Sequence, residues 1–245
     1  MSIIVFTCDN YLSLIPAFAS LFNKHWGVEQ EVKVLGFKEP DFTLPSNFKF
    51  LSAGKQKDFP PAVFCAPFRP LIESLADEVI TYFLDDTFVI GPVRHQIYHE
   101  ATDLIREGRA SKIELFWGGP EQYRASKPFS SRFRCWPQDL NYRCNLSPSI
   151  INKDYFLKYF NDNMTMHDYE IGNMSRSKND GANVLISWKE PICPWFNVIR
   201  QGRFNSTNWN KMKNSSNRQF AWNRFQTINS DDEETIEQFK NWRAA

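Results

Sequence analysis

Short apolar runs alternate with segments of helical spacing through the first half of the chain. Runs at residues 3–6, 32–35 and 48–51 have the length and composition of buried parallel strands. Between the first two runs, apolar side chains recur at helical spacing over residues 11–22, where Pro16 is tolerated because it falls in the first turn. Strands that alternate with helices predict βαβ units and a largely parallel sheet.

The strongest strand pattern covers residues 79–84 and stops abruptly at two adjacent carboxylates, Asp85 and Asp86. A helix is predicted over residues 93–107, and another strand over residues 113–117. In open α/β sheets, ligands bind beyond the carboxyl ends of the strands. The carboxylate pair therefore lies where a ligand site is expected.

The second half of the chain has a weaker periodicity. Residues 118–137 are rich in Gly, Pro, Ser and Arg and predict a long loop. A helix is predicted over residues 151–160 and a late strand over residues 182–186. Asp231 can cap a final helix. No internal repeat or linker divides the chain, so a single α/β domain is expected.

Composition narrows the class of protein. The chain has 29 Lys and Arg against 28 Asp and Glu, a net charge of +1 that argues against a nucleic-acid binder. Its five cysteines form no Cys-x-x-Cys pair, so neither a zinc site nor a disulfide framework is predicted and a cytoplasmic location is expected. No apolar run predicts a membrane span or a secretory signal, although peripheral contact with a membrane stays compatible with the sequence.

The pair Asp85–Asp86 needs a physical reason, because burying an unpaired carboxylate is costly. A divalent cation such as Mg²⁺ or Mn²⁺, bridging to a diphosphate, would provide one. The alternative is a pair of solvated turn residues that cap the following helix or pair with an arginine. The strand before the pair leaves these two interpretations about equal.

Three short stretches resemble the glycosyltransferases of the GT-A fold found in bacteria and viruses. They are residues 7–11 after the first strand, residues 82–93 around the carboxylate pair, and residues 167–170, with matching order and approximate spacing over about residues 1–205. The resemblance implies one Rossmann-type domain over residues 1–245, with a mixed, mostly parallel sheet flanked by helices. It also implies transfer of a sugar from a nucleotide-sugar donor to a glycan or lipid-linked acceptor, as in polysaccharide biosynthesis.

The same resemblance assigns roles within that domain. About residues 1–117 would bind the nucleotide, and about residues 118–245 would form the acceptor half and the C-terminal tail. Mn²⁺ or Mg²⁺ is implied as cofactor, with Asp86 as the metal ligand and Asp85 as a ribose or second-shell contact. The usual motif of the family is Asp-x-Asp, which the adjacent pair matches only in part. No histidine follows His167 to serve as a later metal ligand.

Four further residues are candidate contacts of the donor, three of them placed by the resemblance and Arg69 by its position before the helix that leads to the Asp85 strand. Thr7, Asp9 and Tyr11 would face the base and ribose, because a polar loop after the first strand faces the crevice. In the alternative, Asp9 caps the following helix and Tyr11 packs in its first turn. Arg69 could contact a phosphate or steady Asp85, and its alternative is an ordinary surface arginine.

The acidic pair Asp168 and Glu170 provides the candidates for the general base that takes the proton of the acceptor hydroxyl. In a strand these two side chains would share a face, whereas on a helix they would diverge by about 200°. Only one of them would then face the substrate, and Glu170 is the closer match to the family, with Asp168 second. The alternative is an exposed acidic turn.

A basic and aromatic stretch covers residues 200–224. The resemblance implies Arg200 and Arg203 as diphosphate contacts, which would offset the charge of the leaving group. A solvated loop or a contact with single-stranded nucleic acid is the alternative for this stretch.

Two rival functions remain open at this stage. One is a non-catalytic nucleotide- or glycan-binding protein of the same fold. The other is a metal phosphohydrolase, against which the single aspartate pair and the four histidines argue, because such enzymes commonly need ligands for two metals.

Overall fold

The architecture is given by a computed structural model, which describes residues 1–60, 63–116, 124–187, 190–200 and 203–204. Ten of the strands are β1 (Ser2–Phe6), β2 (Val32–Gly36), β3 (Phe48–Ser52), β4 (Val79–Leu84), β5 (Thr87–Val89), β6 (Lys112–Glu114), β7 (Lys127–Pro128), β8 (Phe133–Cys135), β9 (Ser149–Asn152) and β10 (Val184–Ser187). Three short strands follow, β11 (Trp195–Asn197), β12 (Ile199–Arg200) and β13 (Arg203–Phe204).

The described residues include the α-helices α1 (Ile15–Trp26), α2 (Cys65–Glu73), α3 (His95–Arg106) and α4 (Lys153–Tyr159). Short 3-10 helices cover Leu12–Leu14 and Gln56–Asp58, and a π-helical turn covers Asp168–Gly172. Pro16 lies in the first turn of α1, as predicted. Among the helices of the described segments, none is long and apolar enough to cross a membrane.

Nine strands form one mixed sheet in the order β3-β2-β1-β4-β9-β6-β10-β8-β7. β1, β2, β3 and β4 run parallel, and so do β6 and β10. β9 runs antiparallel between β4 and β6. The predicted α/β class, with a mixed sheet that is mostly parallel in its core and flanked by helices, is confirmed. Strands from both halves of the chain share this sheet, and the division into a nucleotide half and an acceptor half stays a prediction.

Helices cover both faces of the sheet, and β1 shows why. Its side chains alternate with the two-residue period of a strand. Ile3 and Val5 pack into the core shared with α1 and α3, whereas Ile4 and Phe6 pack into the core shared with α2 and α4. The ring of Phe6 lies 5.3 Å from that of Phe68 on α2. Burial on both faces makes the strand apolar throughout, which is the pattern expected of a central parallel strand.

The structure departs from three sequence predictions. The helix predicted over residues 151–160 begins only at Lys153, because residues 149–152 form the central strand β9. Asn152 ends that strand and caps the helix, accepting the Tyr155 N–H at 2.9 Å. The predicted loop over residues 118–137 contains the hairpin β7–β8 in its described part. The strand predicted over residues 113–117 is the shorter β6, and the helix predicted after Asp231 lies outside the described residues.

Candidate active site

A cavity of about 350 Å³ opens beyond the carboxyl ends of β1 and β4. This is the edge of the sheet at which ligands of open α/β folds bind, and the volume falls within the range of small-molecule sites. One end carries two carboxylates, and much of the remaining wall is aromatic or aliphatic. The lining residues are Phe6, Thr7, Cys8, Asn10, Tyr11, Phe37, Gln56, Phe59, Pro60, Val63, Phe64, Phe68, Leu84, Asp85, Asp86 and Met166.

Asp85 is the first residue after β4, and its main-chain N–H donates to the carbonyl of Phe6 at 3.0 Å. Its side chain is buried. Burial and the neighbouring charge of Asp86 raise the pKa of the Asp85 carboxyl well above its usual range. The Thr7 hydroxyl and nearby main-chain amides oppose this rise. The carboxyl is therefore hard to ionise unless a positive charge approaches it.

Asp86 carries an unsatisfied oxygen. Its Oδ2 accepts from the Asn197 amide at 3.5 Å, but its buried Oδ1 has no hydrogen-bond partner among the described residues. Burial raises the pKa of Asp86 from 3.8 to about 6. A buried acceptor without a partner is rare in folded proteins, and here it belongs to a side chain that lines a cavity. Asp86 is therefore placed to receive a ligand.

The strand β11 holds the backbone beside this carboxylate. It pairs antiparallel with β5, which places Asn197 opposite Thr87. The N–H of Val198 then donates to the carbonyl of Asp86 at 2.8 Å. A segment 111 residues distant in sequence thus fixes the backbone of the carboxylate pair and supplies a polar neighbour.

Two of the three residues predicted in the first loop line the cavity, namely Thr7 and Tyr11. Burial first, and then the nearby Cys8 and the two aspartates, raise the pKa of the Tyr11 phenol. Its hydroxyl therefore stays protonated at neutral pH and can donate a hydrogen bond. Gly36 lies against this loop, where a Cβ would stand 2.8 Å from Thr7 Cγ2. Only a residue without a side chain fits there without displacing Thr7.

Asp9 has a different position from its neighbours. It is not among the lining residues, and its Oδ1 accepts the main-chain N–H of Lys38 at 3.0 Å. Its own N–H donates to Gln56 Oε1 at 2.8 Å. Asp9 thus joins the loops that follow β1, β2 and β3. The predicted contact of Asp9 with the base or ribose stays a prediction, and this geometry favours a positioning role.

Arg69 is occupied by partners away from the carboxylate pair. Its guanidinium contacts Glu73 Oε1 at 2.9 Å and Asp162 Oδ1 at 3.0 Å. It also donates to the carbonyls of Leu157 and Phe160 near the end of α4. Arg69 does not line the cavity, and these contacts fasten α2 to α4. A contact with a phosphate would require it to leave them, so that role stays a prediction.

The two candidate bases lie in a helical turn and have separate partners. Asp168 Oδ2 accepts from both the N–H and the hydroxyl of Thr165, while the Asp168 N–H donates back to that hydroxyl. This reciprocal capping box lowers the pKa of Asp168. Glu170 Oε1 instead accepts the Leu146 N–H at 2.8 Å. Neither carboxylate lines the cavity, although the nearby Met166 does.

The predicted diphosphate contacts lie shortly after β11. Arg200 in β12 is paired with Arg203 in β13, so the two backbones are neighbours. Their side chains lie outside the described part of the structure, as does the rest of the basic stretch from residue 205 onwards. Their role as diphosphate contacts stays a prediction.

Sequence reasoning missed three features of the site. Gln56, the wall of Phe37 and Phe59, and the pairing of Asn197 with Asp86 carry no motif. Gln56 lies in a polar stretch after β3, and Asn197 lies in a three-residue strand. A parallel sheet brings the residues that follow β1, β2 and β3 to one edge, which is the one signal that could have drawn attention to Gln56.

Comparisons with known proteins give the fold. No protein-family model matches the sequence, and no curated protein does either. Among solved structures, S. aureus TarS 1-349 in complex with UDP-GlcNAc has a TM-score of 0.54 at 14% identity, covering 99% of this chain and 73% of that one. TarS 1-349 with UDP gives 0.52 at 12% identity, covering 98% and 69%. The chain therefore has the fold of GT-A type glycosyltransferases, as the sequence resemblance implied.

Proposed function

We propose that the protein transfers a sugar from a nucleotide-sugar donor to a glycan or lipid-linked acceptor, with the help of a divalent cation held by Asp86. One observation carries the proposal: the buried Asp86 Oδ1 has no partner in the described residues, and Asp86 lines a cavity at the carboxyl edge of the sheet. The fold supports it, since the similar TarS structures were solved with UDP-GlcNAc and with UDP.

The residues at this edge fit a cation bound together with a diphosphate. Within the described ranges no three His, Cys, Asp or Glu side chains come together to form a complete metal cage. Mg²⁺ and Mn²⁺ commonly bind through one or two carboxylates plus substrate phosphates, and Asp86 with the adjacent Asp85 provides that number. When bound, the cation would stabilise the charge that develops on the departing diphosphate.

The chain's own residues would perform the remaining tasks. Thr7 and Tyr11 would orient the donor beside the carboxylates, and Arg200 and Arg203 would stabilise the leaving diphosphate. The acceptor oxygen would form a bond to the anomeric carbon while the bond from that carbon to the diphosphate oxygen breaks. The proton of the acceptor hydroxyl would pass to a carboxylate acting as general base, and the nucleoside diphosphate would leave.

Glu170 is the better candidate for that base. Asp168 is held by its capping box, and the same hydrogen bonds lower its pKa, which weakens it as a proton acceptor. Glu170 accepts the Leu146 N–H through Oε1, and its second oxygen could serve a hydroxyl. The neighbouring Met166 brings this segment to the cavity.

The proposal is tested with a panel of UDP-, GDP- and CMP-sugars in the presence and absence of Mn²⁺. Thermal stabilisation by one donor class, together with release of its nucleoside diphosphate or monophosphate, is expected. If no nucleotide stabilises the protein, the proposal is wrong. Stabilisation without turnover on any acceptor would instead support a binding protein of the same fold.

The assignment of the base is tested by Glu170→Gln. This change should lower turnover by about 100-fold or more while donor affinity stays within about twofold of the wild type, because a base acts in the chemical step. Asp168→Asn is the matched control, with a decrease of only a few-fold expected. A larger effect of Asp168→Asn than of Glu170→Gln would reverse the assignment.

A further inference from the structure

Gln56 has a fixed amide orientation at the wall of the cavity. Its Oε1 accepts the main-chain N–H of Asp9 at 2.8 Å, and an N–H can be accepted only by the oxygen of the amide. The NH₂ group must therefore point away from Asp9. Since Gln56 lines the cavity and is half-buried, this NH₂ group offers a hydrogen-bond donor to a ligand there.

The loop that carries Gln56 is held from several sides. Asp9 also accepts the Lys38 N–H through Oδ1, which ties the turn after β2 to the turn after β1. Gln56 begins a 3-10 helix that Phe59 closes through its N–H to the Gln56 carbonyl at 3.1 Å. A side chain anchored in this way discriminates between ligands better than a free side chain, because its conformational entropy is already reduced before binding.

Gln56 and the carboxylates reach the cavity from different strands of the sheet. The carboxylates follow β4 and Gln56 follows β3, and β1 and β2 lie between these strands. Three strand spacings, roughly 14 Å, separate the two strands, and the Gln56 side chain reaches from the β3 side to the loop after β1, where its Oε1 accepts the Asp9 N–H. Phosphates and a cation belong at the carboxylate end by charge. The aromatic end, where the Phe37 and Phe59 rings are 5.9 Å apart, suits a flat heterocycle.

We infer that Gln56 determines which base the donor carries, by donating from Nε2 to a carbonyl oxygen on the edge of that base. The inference rests on the proposed function, because it places a nucleotide in this cavity. Uracil and guanine present such an oxygen, whereas cytosine and adenine present an amino group at the corresponding position. The Gln56 NH₂ group would then face a second hydrogen-bond donor, so the protein selects nucleotide sugars with a keto base.

The test replaces the hydrogen-bond donor of Gln56 with an acceptor and keeps the shape of the side chain. Gln56→Glu keeps an oxygen for the Asp9 N–H and replaces the NH₂ group with a second oxygen. Dissociation constants of UDP, CDP, GDP and ADP are measured by calorimetry with Mn²⁺ for the wild type and for this variant. UDP and CDP carry the same charge, so repulsion between the new carboxylate and the phosphates cancels in their ratio.

The wild type is expected to bind UDP about tenfold more tightly than CDP, the value of one partly exposed hydrogen bond, and GDP similarly better than ADP. Gln56→Glu should invert the ratio of UDP to CDP. Gln56→Ala should bring it near one. Gln96→Glu makes the same chemical change on the exposed face of α3 and should leave the ratio unchanged.

Failure of this inference is distinguishable from failure of the proposed function. If nucleotides bind and the ratio of UDP to CDP is the same in the wild type and Gln56→Glu, the role of Gln56 is wrong and the proposed function stands. If no nucleotide binds the wild type, the proposed function falls and the inference falls with it. Melting temperatures of the variants show whether the loop still folds.

Discussion

The buried charges of this protein occur in two kinds of region, which differ in how completely they are satisfied. Lys112 and Glu114 of β6 have side chains only 1% and 5% exposed, and their charged atoms lie 3.4 Å apart. Lys112 Nζ also donates to the carbonyl and to Oδ1 of Asn145, at 2.9 and 2.8 Å. All three protons of this ammonium therefore have acceptors.

The end of β4 is the contrast. Asp85 and Asp86 are both negative, no cationic side chain pairs with either in the described part of the chain, and Asp86 Oδ1 has no partner there. The same sheet thus contains one polar group that is complete without a ligand and one that is not. The first group needs nothing further, whereas the second has an unsatisfied carboxylate that the proposed cation would satisfy.

A second satisfied group, Arg143 with Asp180, gives the largest expected effect on stability. Arg143 is fully buried and contacts Asp180 at 3.0 Å, and it donates to the carbonyls of Pro137, Ser177 and Ala182. Arg143→Met should lower the free energy of unfolding by about 3–5 kcal/mol, because it leaves Asp180 buried without its cation. Chemical denaturation measures this.

The control is Arg109→Met, which removes an exposed pair with Glu107. A loss below about 1 kcal/mol is expected, since solvent screens such pairs. Equal losses for Arg143→Met and Arg109→Met would mean that burial does not distinguish structural from surface charges in this protein.

The pH dependence of stability tests the unsatisfied carboxylate, Asp86. Because burial raises the pKa of Asp86 from 3.8 to about 6, ionising it in the folded state costs about 3 kcal/mol. Between these two pH values the folded protein binds a proton that the unfolded chain has lost. The free energy of unfolding should therefore fall as the pH rises through this window, in the absence of ligand.

Asp86→Asn should make that fall shallower and leave the part that the buried Asp85 contributes, and Asp103→Asn, on the exposed side of α3, should leave the fall unchanged. Denaturation between pH 4 and 7 provides the measurement. Coincident profiles for the wild type and Asp86→Asn would show that Asp86 is satisfied in the folded protein.

Gly36→Ala should have a smaller effect, which falls on both stability and nucleotide binding. The added Cβ would lie 2.8 Å from Thr7 and 2.9 Å from the ring of Phe50, so one of them must move. A loss of about 1–3 kcal/mol is expected, with nucleotide affinity lowered a few-fold as Thr7 shifts. In Gly172→Ala the nearest atom is 3.8 Å away, and neither quantity should fall. Unchanged nucleotide binding in Gly36→Ala would argue against a role for Thr7.

The sequence predicted the parallel half of the fold and the position of the carboxylate pair at the end of β4. The strands β1 to β4 are apolar runs bounded by polar turns, and Asp85 and Asp86 follow directly from the end of β4. The strand β9 was missed because residues 149–152 run into α4 without a break, and short apolar runs fit a strand or a helix equally well.

Contacts between distant segments could not be predicted from the sequence, for a different reason. Nothing near Asn197 indicates that β11 pairs with β5, because a three-residue strand has no readable period. Arg69 and Asp9 have the residue types of ligand contacts, but their partners are protein groups that only the packing of loops brings together. Residue type predicts which chemistry is available, and packing decides whether it is already used.

The central claim is that the unpartnered oxygen of Asp86 receives a cation and a diphosphate. It is tested most directly by calorimetry of a nucleoside diphosphate, with Mn²⁺, on the wild type and on Asp86→Asn. Asp86→Asn should lower the affinity by about 100-fold or more, with a free energy of unfolding at pH 7 that is equal to or higher than that of the wild type. An unchanged affinity, or a clear loss of stability in Asp86→Asn, would contradict it.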